Sequence, residues 1–292
     1  MDFIEITVED IGDEAAEAVS EVFNRYGYGG AIIETRPPDF ERNTVRTVIS
    51  AEDDGLLQKI EISLALMDKA LPGGLPEPAL KFMGQNDWAE SWKEHFHVVH
   101  VGERVVIQPS WRDYTPKSDD VVVHLDPGLA FGSGLHPTTQ LCLRILQGMS
   151  LTDTDLFDVG TGSGILSIAA HKMGAGPIRA VDVDAVAVGV AEENFALNNI
   201  TSIASSVGSA EDADSRTWSL VVANILSNIL IDIMTDLKAA LAEGGNLVLS
   251  GIINEQEAPF LESLQAHQLT IQSRHVEGDW IAFVVKKSSD IG

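Results

Sequence analysis

The stretch Asp158-Val-Gly-Thr-Gly-Ser-Gly-Ile-Leu166 decides the fold, because its three glycines follow a short apolar strand and precede a helix. Glycines at such a turn let the backbone approach a ligand closely, and the start of the following helix offers free N–H groups. A dinucleotide site has the spacing Gly-x-Gly-x-x-Gly. Counted from Gly160, the last glycine position holds Ile165, and counted from Gly162 it holds Ser167. The spacing therefore argues against an NAD-binding oxidoreductase.

Around this turn, the second half of the chain alternates between strand-like and helix-like stretches. The predicted strands are Leu156–Val159, Ile178–Val183, Leu220–Ala223 and Asn246–Ser250, and the predicted helices are Ile165–Met173, Ala185–Asn198 and Ile225–Leu241. Leu269–Val276 and Trp280–Lys286 form a predicted closing hairpin around Glu277-Gly278. Such alternation predicts a mostly parallel sheet covered on both faces, and the hairpin adds an antiparallel strand. This pattern is typical of class I S-adenosylmethionine (SAM) methyltransferases, with a Rossmann-like α/β fold and a seven-stranded sheet.

Polar residues at the ends of two predicted strands are candidates for ligand contacts, because open parallel sheets bind ligands at the carboxyl ends of their strands. Asp182 and Asp184 lie at the end of the second strand, where a carboxylate can accept hydrogen bonds from ribose hydroxyls. Asp182 lies nearer the strand end, and Asp184 has the position of a helix N-cap. Asn224 lies at the end of the predicted strand Leu220–Ala223, and its amide can donate and accept. An ordinary N-cap role for Asn224 is equally compatible with the local sequence.

The first eighty residues follow a different pattern. Strand-like and helix-like segments alternate there in the order β-α-β-β-α-β, which predicts a ferredoxin-like α+β domain. We place this N-terminal substrate-recognition domain at 1–84, a linker helix and hairpin at 85–120, and the methyltransferase domain at 121–292. The linker helix, Asp87–His97, carries Trp88 and Trp92 on one face, where packing is the simplest role.

The charge of the chain restricts the classes of partner. Lys and Arg total 19 against 44 Asp and Glu, a net charge of −25, and residues 1–80 alone hold 17 acidic and 6 basic residues. Such a surface repels phosphate backbones, so we expect no direct nucleic-acid or membrane partner. A basic protein partner is favoured, although the same bias also serves solubility.

Cysteine and histidine usage argue against disulfides and metals. Cys142 is the single cysteine, which excludes an intrachain disulfide and a Cys-x-x-Cys zinc site. His95, His97 and His100 lie close together, but no further ligand set accompanies them, and we predict no metal site. The acidic N-terminus lacks the features of a signal peptide, and no apolar run reaches about 18 residues. We expect a cytoplasmic monomer.

The most distinctive stretch is Asp126-Pro-Gly-Leu-Ala-Phe-Gly-Ser-Gly-Leu-His-Pro-Thr-Thr139. Its three glycines and one aromatic residue predict a loop of the kind that commonly acts as a lid. Pro137 suits the first turn of the helix that follows. A purely structural connector is the alternative.

Together, these motifs resemble the PrmA family of ribosomal protein methyltransferases. The resemblance rests on the Asp126–Thr139 stretch, the glycine turn and Asn224-Ile-Leu226, and it extends to Asp87-Trp-Ala-Glu-Ser-Trp-Lys-Glu-His-Phe96 and Gln108-Pro-Ser-Trp111. It implies SAM-dependent trimethylation of lysine ε-amino and N-terminal α-amino groups of large-subunit ribosomal protein eleven, with the N-terminal domain holding that substrate. Carried over by position, it implies that Thr139, Gly160, Asp182 and Asn224 bind SAM, with Gly162 in the same turn.

The chain departs from the family pattern at three positions. Thr161 stands where Cys is common, and Ser133 and Leu135 stand where Thr is common. Because each lies between matching residues, these departures bear on specificity.

A methyltransferase of this kind needs alignment more than a dedicated base, because a desolvated pocket lowers the pKa of a lysine amine. The sequence shows no catalytic triad. His136 is the one candidate for a titrating neighbour, and a structural role at the helix start is the alternative.

The sequence alone is also compatible with other functions. They are a methyltransferase acting on another basic protein, on a small molecule or on RNA, and a SAM-binding module without turnover. Residues 1–80 are too acidic for RNA, and Asn224-Ile-Leu-Ser lacks the Asn-Pro-Pro-Tyr pattern of enzymes that methylate amide or exocyclic nitrogens.

Overall fold

A computed structural model describes residues 3–35, 42–71, 73–84, 97–126, 132 and 134–288. The chain divides into two compact units, Met1–His97 and Val98–Gly292. The predicted linker helix up to Phe96 lies outside the described residues, as do 127–131 and 133 of the predicted loop. In the part of the chain that the model describes, no helix is long and apolar enough to cross a membrane.

The first unit has the predicted β-α-β-β-α-β order. Its elements are β1 (Phe3–Ile11), α1 (Asp13–Tyr26), β2 (Tyr28–Thr35), β3 (Asn43–Ser50), α2 (Asp54–Ala70) and β4 (Ala79–Met83). The four strands form one antiparallel sheet in the order β2-β3-β1-β4. The alternating side chains Ile4, Ile6 and Val8 are buried in a cluster with Val19 and Phe23 of α1. The ferredoxin-like arrangement therefore follows from alternation on the strands and a single apolar face on each helix.

The second unit begins with a small sheet. Strands β5 (Val99–Val101) and β6 (Val105–Gln108) form the predicted hairpin, and β7 (Val121–His124) pairs with β6 in parallel. Helix α3 (Pro137–Gln147) holds this hairpin through Gln147, whose Oε1 accepts from the N–H groups of Glu103 and Arg104 at 3.1 and 2.9 Å. Hydrophobic residues of the hairpin share one buried cluster with α3, so the hairpin packs within the second unit.

The rest of the second unit is the predicted α/β sheet. Its elements are β8 (Leu156–Val159), α4 (Ile165–Lys172), β9 (Ile178–Asp182), α5 (Ala185–Leu197), β10 (Ile203–Val207), β11 (Trp218–Asn224), α6 (Ser227–Asp232), α7 (Met234–Ala240), β12 (Leu241–Ile253), α8 (Glu257–Ala266), β13 (Leu269–Glu277) and β14 (Trp280–Lys287). The strand order is β10-β9-β8-β11-β12-β14-β13. Strands β8 to β12 are parallel, and β14 is antiparallel to both neighbours. The predicted seven-stranded fold is confirmed.

The side of the sheet to which the chain adds new strands changes between β8 and β11. From β8 the chain adds β9 and β10 on one side, then returns to place β11 on the other. At such a switch point the connections leave in opposite directions and open a crevice at the carboxyl ends of the strands. Apolar side chains bury both faces of the central strands: Leu156 and Val222 lie in one core, and Phe157 and Val221 in the other.

The predicted helix Ile225–Leu241 is wrong in its extent. The structure has two short helices, α6 and α7, which meet at Ile233, and Leu241 already begins β12. The apolar residues of this stretch fit one continuous helix equally well, so periodicity did not reveal the break. Strand β10 and helix α8 were not predicted, and β10 is short and half polar, Ile-Ala-Ser-Ser-Val.

Candidate functional site

The glycine turn lies where the switch point places a ligand site. It follows β8, with Asp182 at the end of the neighbouring β9 and Asn224 at the end of β11 on the other side. Gly160 has a positive φ of 75°, and a Cβ atom there would lie 2.4 Å from Cγ2 of Ile225. A glycine is therefore required for the turn to approach the end of β11.

Asp182 holds the turn from the β9 side. The N–H of Gly162 donates to Asp182 Oδ2 at 2.9 Å, and the N–H of Asp184 donates to Asp182 Oδ1 at 3.0 Å. Asp184 caps α5, because its Oδ1 accepts from the N–H of Val186 at 2.8 Å. The structure thus separates the two sequence candidates: Asp182 contacts the turn, and Asp184 is the N-cap.

Asn224 and Thr139 lie together on the other side, although 85 residues separate them. Asn224 Nδ2 donates to Thr139 Oγ1 at 3.3 Å, and both side chains are buried. The N-cap alternative for Asn224 is wrong, because α6 begins at Ser227 with Leu226 at the cap position. Within the described residues, Asn224 Oδ1 is buried without a hydrogen-bond partner. A buried acceptor of this kind costs about 1–3 kcal/mol when unpaired, so it suits a ligand N–H donor.

Asp158, which sequence reasoning did not select as a site residue, stabilises the turn through hydrogen bonds to its carboxyl group. It is only 1% exposed, and its Oδ2 accepts from Thr161 Oγ1 at 2.8 Å and from Ser167 Oγ at 2.7 Å. Burial raises the pKa of its carboxyl to about 6, while the two hydroxyl donors act in the opposite direction. Thr161 therefore makes a buried contact through its hydroxyl, at the position where the resemblance leads one to expect Cys.

His136 has the structural role at the helix start. The N–H of Thr138 donates to its Nδ1 at 3.3 Å, and the ring meets that of Trp280 edge-on, with centroids 4.7 Å apart. Burial lowers the pKa of His136 to about 4, which leaves it neutral at pH 7. Its candidacy as a titrating neighbour stays a prediction.

Trp280 was also missed as a site neighbour. It begins β14 and pairs with Ile253 at the end of β12. Because β14 runs antiparallel to β12, its first residue lies at the carboxyl edge of the sheet. An aromatic residue directly after the turn of the closing hairpin was the available signal.

Other candidates are not brought to this edge. A cavity of about 450 Å³ lies at the amino ends of β8, β11 and β12, and its lining contains none of the predicted site residues. His100 packs its ring against Tyr114, with centroids 5.4 Å apart, and the described residues contain no group of three or more potential metal ligands. His95 lies outside the described residues.

Known proteins are similar in sequence to nearly the whole chain. Residues 2–288 match the family model described as Ribosomal protein L11 methyltransferase (PrmA). The chain belongs to this family. A ribosomal protein L11 methyltransferase of Herpetosiphon aurantiacus is 35% identical over 320 residues, covering 98% of this chain and 99% of the relative. One from Chloroflexus aurantiacus is 36% identical over 324 residues, covering 98% of each.

A solved structure agrees with the family assignment. The ribosomal protein L11 methylase from Lactobacillus delbrueckii subsp. bulgaricus superimposes with a TM-score of 0.63 at 37% identity, covering 66% of this chain and all of that one. The resemblance seen in the sequence is thereby confirmed. SAM is the cofactor of this chain. Asn224 fits that group, since its unpaired buried oxygen can accept from an amino group.

We predict that Asp182→Ala weakens SAM binding by about tenfold or more, because it removes a carboxylate that also orders the Gly162 N–H. Calorimetric titration measures the affinity. Asp184→Asn is the matched control, since Asn caps helices as well as Asp, and its affinity should equal that of the parent. Unchanged affinity in a folded Asp182→Ala protein would contradict the assignment.

A second prediction concerns pH and Asp158. Its pKa is about 6 in the folded chain against 3.8 unfolded, so the native state holds the extra proton between these values. The stability that this proton supplies is present below about pH 4 and is lost as the pH rises through 6. From pH 5 to 7, the parent should therefore lose about 1 kcal/mol more unfolding free energy than Asp158→Asn.

Denaturant titration at several pH values measures this difference. Asp153→Asn, at an exposed position, is the control that should follow the parent. Parallel pH curves for the parent and Asp158→Asn would show that Asp158 is ionised throughout this range.

Proposed function

We propose that the chain transfers methyl groups from SAM to amino groups of ribosomal protein L11, including lysine ε-amines and the N-terminal α-amine. The observation that carries the proposal is the arrangement at the switch point, where Asn224 with Thr139 and Asp182 with Gly162 flank the glycine turn. The relatives named above are called L11 methyltransferases, which supports L11 as the substrate.

The site residues have distinct tasks in this proposal. Asp182 accepts hydrogen bonds from the ribose, Gly160 and Gly162 let the backbone approach the cofactor, and Thr139 and Asn224 hold its amino-acid end. When bound, SAM supplies an electrophilic methyl group on a sulfonium. The residues of the chain then have to align the acceptor nitrogen with that methyl and exclude water, because displacement in line tolerates little misplacement.

The acceptor amine must be neutral before it reacts, since lysine has an ordinary pKa of about 10.4. His136 is a poor proton acceptor, because burial lowers its pKa to about 4. Desolvation of the amine near apolar groups such as the partly buried Trp280 favours the neutral form without a base. The proton then passes to solvent before the amine is enclosed.

The proposed recognition domain, residues 1–84, lies within the first unit. Its stretch 1–80 carries a net charge of −11, which complements a basic ribosomal protein. The edge strand β4 also exposes Leu80 and Phe82, the latter at 72%, which adds apolar surface for a protein partner.

Incubation with methyl-labelled SAM and purified L11 tests the function. Label should appear on L11, and mass spectrometry should map it to lysine ε-amines and the N-terminus. L11 with its amines acetylated, free ribosomal RNA and the Asn224→Ala protein serve as controls and should gain little label. Label on RNA alone, or SAM binding without transfer to L11, would contradict the proposal.

A chain of residues 98–292 tests whether the first unit recognises L11 and the second unit binds SAM. It should bind SAM as tightly as the full chain, because the residues that flank the glycine turn all lie within it, and it should lose transfer to L11. Calorimetry and the labelling assay measure the two properties, and a cooperative thermal transition shows that the shorter chain is folded. Full transfer activity would refute recognition by the first unit. Weaker SAM binding would show that this unit contributes to the cofactor site.

A further inference from the structure

Ser163 lies between the glycine turn and the distinctive loop, and it contacts both. Its Oγ donates to the carbonyl of Gly132 at 2.7 Å, and its own carbonyl accepts from Asn194 Nδ2 at 2.9 Å. Both side chains are nearly inaccessible, with Ser163 4% and Asn194 3% exposed. In a dry environment these bonds fix geometry firmly, because neither partner can exchange its bond for water.

Asn198, the C-cap residue of α5, continues this chain of bonds toward the start of the loop. Asn198 Nδ2 donates to the carbonyls of Asn194 at 2.8 Å and His124 at 2.6 Å, and Asn198 Oδ1 accepts from the N–H of His124 at 2.9 Å. His124 ends β7, two residues before Asp126. Asp126 is held in turn by Ser110, whose N–H and Oγ donate to its carboxylate at 2.7 Å each. Gly132 and His124 are therefore both tied to α5.

The same helix supports the glycine turn directly. A Cβ atom on Gly164 would lie 2.6 Å from the ring of Phe195 and 3.2 Å from Cβ of Ala191, so the turn packs closely on α5. Asn194 follows Ala191 by three residues, on the same side of the helix. Its amide group satisfies a carbonyl of the turn that would otherwise be buried without a donor.

We propose that Asn194 and Ser163 are positioning residues: Asn194 shapes the glycine turn for SAM, and Ser163 fixes Gly132, and with it the described segment 134–139, relative to that turn. The expected effect on catalysis rests on the proposed function. Thr139 lies at the end of that segment, so a shift at Gly132 changes the alignment of the acceptor with the cofactor. Because Asn194 and Ser163 make separate hydrogen bonds, we expect their substitutions to cause two different defects.

Loss of the Asn194 donor should affect cofactor binding. Asn194→Asp keeps the size and shape of the side chain but replaces the donor with an oxygen that faces the Ser163 carbonyl. We expect the Kd for SAM to rise about tenfold, equivalent to about 1.4 kcal/mol. Asn194→Ala also removes the donor and should show a similar rise. If Asn194 only filled space, Asn194→Asp would bind SAM like the parent and only Asn194→Ala would bind it more weakly. Glu193→Gln, at the exposed neighbouring position, is the control and should bind like the parent.

Loss of the Ser163 hydroxyl should affect alignment instead. Ser163→Ala should keep the Kd for SAM within about twofold, since the carbonyl that Asn194 contacts remains, and it should lower kcat for L11 methylation about tenfold. Amide hydrogen exchange in a peptide covering 132–139 should be faster than in the parent, with neither SAM nor L11 present. Thermal unfolding of each variant verifies that it is folded.

The measurements separate failure of this inference from failure of the proposed function. SAM affinity and hydrogen exchange need no protein substrate, so they decide the roles of Asn194 and Ser163 even if the parent does not methylate L11. Parent-like SAM affinity in Asn194→Asp would overturn the role of Asn194. Parent-like exchange in Ser163→Ala would overturn the role of Ser163, and so would parent-like kcat on an active parent.

Discussion

The turn between β8 and α4 keeps its shape because carboxylates from two neighbouring strands hold it from two sides. Asp158 accepts hydroxyl bonds from Thr161 in the turn and from Ser167 in α4, and Asp182 accepts the N–H of Gly162. The backbone of the turn is thus fixed by hydrogen bonds to two carboxyl groups. Placement of every other site residue depends on this constraint, since the ends of β9 and β11 are defined relative to the turn.

The fixed position of this turn also explains why residue 160 has to be glycine. A side chain at Gly160 would meet Ile225, directly after Asn224, so the turn can lie against β11 only without a Cβ. This close approach joins the half of the site that holds Asp182 to the half that holds Asn224. The pairing of Asn224 with Thr139 then ties the start of α3 to the central sheet, which brings the end of the distinctive loop to the switch point.

Local patterns predicted the parts of this structure that depend on local physics. Alternation and apolar runs predicted the sheet of the first unit and the strands of the seven-stranded sheet other than β10, and the glycine spacing placed the turn correctly. Position after a strand was not enough to assign Asn224, because a cap and a buried ligand contact look alike until the start of α6 is known. The split of the predicted helix Ile225–Leu241 depends on β12 beginning at Leu241, a tertiary pairing that helical periodicity does not contain. Likewise, spacing alone did not reveal the bonds that join Ser163 to Gly132 and Asn194.

The electrostatics of the site agree with transfer from a cation to a neutral amine. Burial keeps His136 uncharged at neutral pH, so its ring adds no positive charge that would repel a sulfonium. Asp182 lies at the carboxyl edge of the sheet, where the proposed function places a cationic cofactor. In the proposed reaction each transfer returns a positive charge to the acceptor nitrogen, and a proton must leave that nitrogen before another transfer. Under the proposed function, repeated methylation at one amine requires this proton to be lost between transfers, so the acceptor has to be aligned again each time by the groups around the turn.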